Sequence, residues 1–291
     1  MSKIKIITDS NSGILQSEAK DLGIFVIPMP FTIDGEEYLE EISISQEKFY
    51  EFLEKGADVK TSQPSRFYLE ELFTELLKDN DELIYIPMSS GLSGTCQNAT
   101  VLAQEFNGRV KVVDNLRISV MQKESVMEAV KMVELGKTAD EIKQYLEETK
   151  LNNSIYLTVS VLKYLKKGGR ISSAAAALGA MLNVKPIMYS NGGKFEKFGM
   201  TISFTQAKKK MLAQIKHEVQ TKFKEAYNNK TLCVYVAHTK SHKEAEVFKQ
   251  EILKELPDVQ FRFLDPLSLS VSCHIGPGAL GIGLCVNNYL K

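Results

Sequence analysis

Short apolar runs alternate with amphipathic segments through the first half of the chain. The runs cover residues 4–8, 83–88 and 110–113 and are rich in Ile, Val and Tyr, as buried strands are. Between them, residues 44–56 and 65–77 carry apolar side chains at helical spacing. Strands that alternate with helices are joined by crossover connections, which make them parallel neighbours in one sheet. The first half therefore predicts a three-layer α/β domain built on a parallel sheet.

The second half of the chain has a different pattern. A hairpin is predicted to turn at Asn191-Gly192, a pair of residues that favours a tight turn, and a hairpin makes antiparallel neighbours. The strand–helix–strand pattern that begins with the apolar run 232–238 makes parallel ones. We therefore predict two domains: an N-terminal α/β domain over 1–153 and a C-terminal mixed-sheet α/β domain over 154–291.

Charge and cysteine content argue against several classes of protein. The 291 residues include 36 basic and 36 acidic side chains, so no excess of positive charge favours nucleic acid or an anionic membrane as the main partner. The four cysteines are scattered and form no CxxC pair, which argues against a zinc site or a disulfide framework. We see no signal peptide and no apolar stretch long enough to span a membrane. We expect a cytoplasmic protein without a metal site.

A loop of glycines and hydroxyl residues follows the apolar run 83–88. Its sequence is SSGLSGT, at 89–95, and a helical pattern begins directly after it. Glycines let the backbone approach a ligand, and the first N–H groups of a helix are unpaired donors with a favourable dipole. A tight turn with capping serines has the same composition. Because ligands of open α/β sheets lie beyond the carboxyl ends of strands, we favour a site for a carboxylate or phosphate that includes Ser93.

A second hydroxyl-rich segment, KTSQPS at 60–65, precedes a predicted helix. Pro64 biases the residue before it to an extended conformation, so the hydroxyls of Thr61 and Ser62 lie on an extended stretch. Ser65 is the predicted N-cap of the helix. Taken alone, the composition of this segment is that of an ordinary helix-entry loop.

Two candidate residues lie beside glycine turns in the second half. Arg170 follows Gly168-Gly169, where its guanidinium could bind a carboxylate or phosphate, or a backbone carbonyl. His274 precedes the glycines of the segment 276–278, which makes it the most site-like of the four histidines. A histidine that is satisfied in a core or loop is the alternative interpretation.

Two stretches of small side chains point to a slender apolar ligand or to close packing. In the C-terminal strand, alternation places Ala279, Gly281 and Gly283 on one face, which is nearly bare. In a predicted helix, residues 174–177 and Gly179 carry almost no bulk. A thin ligand or an adjoining element would explain either stretch.

Five motifs in this order resemble the DegV family of bacterial fatty-acid-binding proteins. They are TDS at 8–10, TSQPS at 61–65, SSGLSGT at 89–95, GGRIS at 168–172 with ALGAMLNVKPI at 177–187, and HIGPGALGIG at 274–283. The resemblance spans nearly the whole chain. It implies a two-domain α/β protein that holds one long-chain fatty acid in a tunnel between the domains.

The resemblance also implies roles for single residues. Thr61 and Ser93 would bind the carboxylate, His274 would lie close by, and Ser62 and the backbone of Gly94 are further candidates. Arg170 lies in one of the matching motifs and is a candidate as well. Members of the family are carriers and use no cofactor, and several present the bound acid to a fatty-acid kinase.

The alternative function is that of a serine acyl hydrolase. Ser93 lies at a strand–turn–helix junction, and the order Ser93, Asp265, His274 is that of nucleophile, acid and base in α/β-hydrolases. In GLSGT, however, the second glycine comes one position too early for a GxSxG elbow, and no HGGG-like oxyanion loop is evident. Fatty-acid binding is therefore the leading hypothesis.

Overall fold

A computed structural model of the protein describes residues 2–160, 162–176 and 184–289. The strands are β1 (Ile4–Asp9), β2 (Phe25–Ile27), β3 (Pro30–Ile33), β4 (Glu36–Leu39), β5 (Val59–Thr61), β6 (Glu82–Ile86), β7 (Val110–Val112), β8 (Asn153–Thr158), β9 (Lys185–Ser190), β10 (Glu196–Thr201), β11 (Leu232–His238), β12 (Gln260–Pro266) and β13 (Leu280–Val286). The helices are α1 (Gln16–Asp21), α2 (Gln46–Glu54), α3 (Arg66–Leu76), α4 (Thr95–Ala103), α5 (Val120–Glu134), α6 (Ala139–Glu148), α7 (Lys163–Gly168), α8 (Ser173–Ala176), α9 (Phe204–Gln220), α10 (Lys224–Asn228), α11 (His242–Glu255) and α12 (Leu269–Ile275).

The contacts within the chain divide it into two compact units. Unit 1 comprises Met1–Leu151 with Ser268–Ser270, and unit 2 comprises Asn152–Leu267 with Val271–Lys291. The predicted domains, 1–153 and 154–291, place Ser268–Ser270 in the second domain, whereas the contacts assign these residues to unit 1. The sequence also does not predict α12, because its seven residues are too few to show a clear helical periodicity.

Unit 1 is built on a parallel sheet with the strand order β2-β1-β6-β7. Phe73 of α3 and the apolar face of α4 pack on the side of the sheet that carries Ile7 and Tyr85. On the opposite side, Gln122 of α5 donates to the Thr8 hydroxyl at 3.1 Å. Helices on both faces of a parallel sheet confirm the predicted three-layer α/β domain.

Unit 1 also contains a three-stranded antiparallel sheet, β4-β3-β5, which the alternation of strands and helices does not predict. Residues 24–33 form a single apolar run in the sequence, but the structure divides this run into β2 and β3. Pro28 and Pro30 explain the division, because proline has no N–H for a strand ladder. Since β5 pairs with β3 and ends at Thr61, this sheet fixes the start of the hydroxyl segment 61–65.

Unit 2 is built on a mixed sheet with the strand order β10-β9-β8-β13-β11-β12. β11 and β12 are parallel, and the other neighbours are antiparallel, which confirms the predicted mixed sheet. The hairpin β9–β10 turns through Asn191-Gly192, as predicted. One face of the sheet packs against α9 and α11, where Ile215 and Phe248 are fully buried.

Candidate functional site

Ser93 lies in the loop that leads from β6 to α4, at the entrance to the helix. Its hydroxyl oxygen accepts a hydrogen bond from the Thr95 amide at 3.3 Å and lies 2.9 Å from the Thr95 hydroxyl oxygen. Gly94 is the N-cap residue of α4 and presents no side chain there. The predicted order of strand, loop and helix is confirmed. The half-buried Ser93 hydroxyl thus lies at a helix end whose dipole favours an anion.

The other two serines of the loop bind its scaffold. The Ser90 hydroxyl donates to Asp114 Oδ2 at 2.5 Å, and the Ser89 hydroxyl oxygen accepts from the Gly91 amide at 3.1 Å. The Ser89 amide donates to the Arg117 carbonyl oxygen at 2.9 Å. These bonds fix the first half of the loop. Ser89 and Ser90 therefore stabilise the loop itself, whereas Ser93 lies at the entrance to the helix.

The segment 61–65 joins β5 to α3, and its first and last residues, Thr61 and Ser65, have an extended backbone. Thr61 ends β5, and the Ser62 amide continues the pairing with β3 by donating to the Pro30 carbonyl oxygen at 3.0 Å. The Ser65 hydroxyl oxygen accepts from an amide in the first turn of α3 at 3.1 Å, which confirms the predicted cap. Thr61 is half-buried and Ser62 is exposed.

Gln63 joins this segment to the loop 89–95. Its Oε1 accepts from Asn98 Nδ2 at 2.6 Å. Its Nε2 lies against Gly94, where an added Cβ atom would be only 2.7 Å away. The structure therefore brings the two predicted hydroxyl segments together within unit 1. Sequence reasoning missed Gln63, because a glutamine before a proline carries no pattern that distinguishes it from an ordinary loop residue.

Asp9, in the TDS motif, anchors the loop from inside unit 1. Its buried carboxylate accepts from the Met88 amide at 3.0 Å, from Asn11 Nδ2 at 2.8 Å and from Gln122 Nε2 at 3.0 Å. Burial raises the pKa of Asp9, while the hydrogen bonds from these three residues act in the opposite direction. Because Met88 directly precedes the loop, Asp9 holds the point at which the loop leaves the sheet.

In unit 2, His274 and Arg170 both contact Gly168. An added Cβ at Gly168 would be 2.2 Å from His274 Nδ1, so the imidazole occupies the space of a missing side chain. Arg170 Nη1 donates to the Gly168 carbonyl oxygen at 2.5 Å, which is the backbone contact foreseen as one alternative for this residue. Burial and then the Arg170 cation lower the pKa of His274 to about 4. The imidazole is therefore neutral at neutral pH and has one N–H donor.

The glycines that follow His274 are required by close packing. Gly276 has a φ of +77°, and an added Cβ would be 2.1 Å from the Tyr164 ring. Gly278 has a φ of +80°, and an added Cβ would be 2.4 Å from the Ser160 hydroxyl oxygen. That hydroxyl donates to the Gly278 carbonyl oxygen at 2.9 Å. In the motif HIGPG, Gly276 and Gly278 thus leave room for Tyr164 and Ser160 beside the end of α12.

Strand β13 has one large and one small face, as its alternation predicts. Leu280, Ile282 and Leu284 belong to the hydrophobic core of unit 2. On the other face, an added Cβ at Gly281 would be 3.4 Å from Leu157 Cδ1, which is an ordinary contact distance. Packing within the sheet therefore does not require a glycine at position 281, in contrast to position 276.

The helix of small residues is described only in part. Residues Ser173–Ala176 form α8, and the Ser172 hydroxyl oxygen accepts from the Ala175 amide at 3.3 Å. Ala177 and Gly179, which the sequence includes in this helix, lie outside the described residues.

Metal binding and membrane insertion find no support in the part of the chain that the structure describes. There, no group of at least three His, Cys, Asp or Glu side chains could hold a metal ion. No helix in the same part combines the length and the apolar character needed to cross a membrane.

Comparison with known proteins agrees with the fold and the motifs. A family model described as "Uncharacterised protein, DegV family" matches residues 3–287. A DegV domain-containing protein of Clostridium perfringens is 32% identical over 290 residues, with 97% of each chain covered.

Two solved structures extend the comparison. A DegV family protein from Thermus thermophilus, described by its fatty acid binding, superposes with a TM-score of 0.86 at 28% identity, covering 98% of this chain and 100% of that one. DegV from Bacillus subtilis, described as a fatty acid binding protein, superposes with a TM-score of 0.84 at 29% identity, covering 99% and 100%. The resemblance found in the five motifs is confirmed, and the chain belongs to the DegV family.

Proposed function

We propose that this protein binds a long-chain fatty acid and that the segments 61–65 and 89–95 hold its carboxylate. The observation that carries the proposal is the contact of Gln63 with Gly94 and Asn98, because it brings the two hydroxyl-bearing segments together in unit 1. The DegV proteins from Thermus thermophilus and Bacillus subtilis, which share the fold, are described as binding fatty acids.

In this proposal the head group is bound by hydroxyl and amide donors. Ser93 and Thr61 donate their hydroxyl protons to the carboxylate, and a bond to a charged acceptor is stronger than one between neutral groups. The Ser93 oxygen accepts from the Thr95 amide, and when the Thr95 hydroxyl also donates to it, the Ser93 proton is available for an anion. Ser62 and the backbone amide of Gly94 are additional donors.

The family resemblance adds His274 and Arg170 of unit 2 to the residues that contact the ligand. Neutral His274 would act as a hydrogen-bond donor rather than as a cation. A guanidinium has five N–H donors, so the bond from Arg170 to the Gly168 carbonyl oxygen is compatible with a second, anionic partner.

We expect the acyl chain to lie along the small face of β13. A slender apolar chain would account for the bare face of β13 at Gly281, which packing within the sheet does not explain. The tunnel between the domains and the presentation of the acid to a fatty-acid kinase remain predictions from the resemblance. The protein would then be a carrier without a cofactor of its own.

Two observations disfavour the alternative, an acyl hydrolase. A nucleophile elbow holds its serine in a strained turn, yet Ser93 is not among the described residues with a positive φ. A carboxylate partner would raise the pKa of a catalytic histidine, whereas burial and Arg170 lower that of His274. Asp265 lies in β12 and pairs with Ala237 in the sheet.

The proposal is tested by extracting the protein purified under mild conditions and identifying bound lipid by mass spectrometry. Binding of palmitate and oleate to the delipidated protein is then measured by calorimetry. We expect a saturable site of one fatty acid per chain. Absence of co-purified fatty acid together with absence of saturable binding would refute the proposal. Labelling of Ser93 by a fluorophosphonate probe, with turnover of p-nitrophenyl esters, would favour the hydrolase.

A further inference from the structure

A relay of four hydrogen-bonded side chains, Glu40, Ser270, Asn11 and Asp9, runs through unit 1 to the start of the loop 89–95. The Ser270 hydroxyl oxygen lies 3.1 Å from Glu40 Oε2 and 2.7 Å from Asn11 Oδ1. Asn11 Nδ2 donates to Asp9 Oδ1 at 2.8 Å, and Asp9 Oδ2 accepts from the amide that precedes the loop at 3.0 Å. The four side chains are at most 4% exposed, so water hardly competes for these contacts.

The Ser270 hydroxyl decides which form of Glu40 fits this network. A serine has one proton, although three oxygens lie within hydrogen-bond distance of Ser270 Oγ: Asn11 Oδ1, Glu40 Oε2 and, at 3.2 Å, the Ser268 hydroxyl, which can itself donate to Ser270. Asn11 presents its Nδ2 to Asp9, so its Oδ1 faces Ser270 and takes the Ser270 proton. Toward Glu40 the Ser270 oxygen is then an acceptor. The contact between Ser270 and Glu40 is a hydrogen bond only when Glu40 carries a proton.

Glu40 is enclosed by donors and titrates in the neutral range. The Leu269 amide donates to Oε1, and the Ser10 hydroxyl donates to Oε2 at 2.6 Å. Burial, with a smaller contribution from the neighbouring Glu41 carboxylate, raises the pKa of Glu40 to about 7, although the hydrogen bonds that it accepts oppose the rise. The charged groups near it are Glu41, next in the chain, and Asp9, beyond the relay.

We propose that Glu40 is a positioning residue whose protonation sets the affinity of the loop 89–95 for the fatty-acid carboxylate; this inference rests on the proposed function. Neutral Glu40 donates to Ser270 and leaves the Ser270 proton on Asn11. Ionised Glu40 attracts that proton, because a bond to a carboxylate is stronger than one to an amide oxygen. Asn11 Oδ1 then loses its donor in a buried place, which weakens its hold on Asp9.

The direction of the effect follows from this relay. The loop is anchored best when Glu40 is neutral, so fatty-acid affinity falls as the pH rises through neutrality. Linkage requires in turn that ligand binding raises the proton affinity of Glu40. The readout is therefore a pH profile, which a merely structural role of Glu40 would not produce.

The experiment measures palmitate binding by calorimetry at pH 6 and pH 8 for the wild type and for Glu40→Gln, which is neutral at both values. Between the two pH values, we expect the affinity of the wild type to fall about 2.5-fold more than that of Glu40→Gln, which corresponds to a rise of about half a unit in the pKa of Glu40 on ligand binding. Ionisation of the fatty acid itself is common to both proteins and cancels. Glu37→Gln, the same change at an exposed position of β4, should keep the wild-type profile.

Parallel pH profiles of the wild type and Glu40→Gln would overturn the inference. If Glu40→Gln fails to fold, Ser270→Ala removes the relay hydroxyl and should likewise flatten the profile. Urea unfolding of the ligand-free proteins between pH 5 and pH 8 separates the two proposals. A further outcome is that the wild type loses stability relative to Glu40→Gln as the pH rises and yet binds no palmitate. In that case Glu40 titrates as argued, but the proposed function is wrong, and with it the effect of Glu40 on the ligand.

Discussion

The side-chain amide of Gln63 occupies the space where a Cβ atom of Gly94 would lie, at 2.7 Å from that position. Its Oε1 also accepts from Asn98, so one side chain fixes the spacing of the two hydroxyl segments of unit 1. A glutamine can swing away from a new methyl group, whereas a backbone atom cannot. This contact therefore makes the site sensitive to substitutions that leave the fold intact.

Gly94→Ala should weaken fatty-acid binding much more than it weakens the fold. The added methyl group displaces Gln63 and breaks its bond to Asn98, a loss of about 0.5–1.5 kcal/mol of stability for one neutral hydrogen bond. The two hydroxyl segments then lose their common spacing. Urea unfolding and calorimetry with palmitate measure the two effects. Gln63→Ala removes the same bond to Asn98, so it should weaken binding to a similar degree, and Gly94→Ala should add little to it. Fully additive effects of the two substitutions would contradict the role of the contact.

Ser93→Ala should reduce fatty-acid affinity by about 1.5–3 kcal/mol, the range for a hydrogen bond to a charged group. Calorimetry with palmitate measures the change directly. Ser17→Ala is the matched control, because Ser17 is exposed in α1 and the same hydroxyl is removed far from the loop. Unchanged binding in Ser93→Ala would place the head group elsewhere.

Local patterns in the sequence predict those features of the protein that are determined by residues close together in the chain. The alternation of strand and helix patterns predicts the parallel sheet, and the alternation of side chains along β13 predicts its two faces. The glycine-rich loop after β6 is predicted where Ser93 lies. The contact between Glu40 and Ser270 joins residues 230 positions apart, and no pattern in either segment reveals it. Gln63 is similar, because its role depends on a glycine in another segment.

Gly276→Ala should lower the free energy of unfolding more than Gly23→Ala does. Both Gly276 and Gly23 have a positive φ, but an added Cβ would be 2.1 Å from the Tyr164 ring at Gly276 and would have nothing within 4 Å at Gly23. Gly23→Ala therefore reports the conformational cost alone, about 1–2 kcal/mol. Gly276→Ala adds overpacking of about 1–3 kcal/mol. Equal losses in urea unfolding would show that Tyr164 moves aside freely.

His274 should make the fold less stable in acid. Its pKa in the folded protein, about 4, lies below the ordinary value of 6.5, so the fold favours the neutral form. The resulting stability is complete above pH 6.5 and is lost as the pH falls toward 4. One pKa unit corresponds to about 1.4 kcal/mol, so the loss amounts to at most about 3 kcal/mol. Urea unfolding of His274→Asn should show a shallower decline over this range than the wild type, and parallel curves would contradict the assignment.

Arg117 and Glu128 form an ion pair in which both side chains are fully buried, with 3.1 Å between Nη1 and Oε2. Arg117 Nη1 also donates to the Ser125 hydroxyl at 2.7 Å, and the Tyr145 hydroxyl donates to Glu128 Oε1 at 2.8 Å. The backbone of Arg117 is also joined to the loop 89–95, since its carbonyl oxygen accepts from the Ser89 amide. Loss of one partner leaves an uncompensated charge in a buried place.

Arg117→Met should therefore cost about 3–5 kcal/mol of stability, because the Glu128 carboxylate remains without its cation. Arg117→Met/Glu128→Leu removes both charges and should recover most of this loss, since a buried ion pair contributes little beyond an apolar pair of similar volume. Urea unfolding of the single and double variants measures the coupling. Because the bond to Ser89 comes from the backbone of residue 117, the double variant should bind palmitate nearly as tightly as the wild type. A double variant that is as unstable as the sum of both single variants, Arg117→Met and Glu128→Leu, would show that the pair acts through specific hydrogen bonds rather than through charge balance.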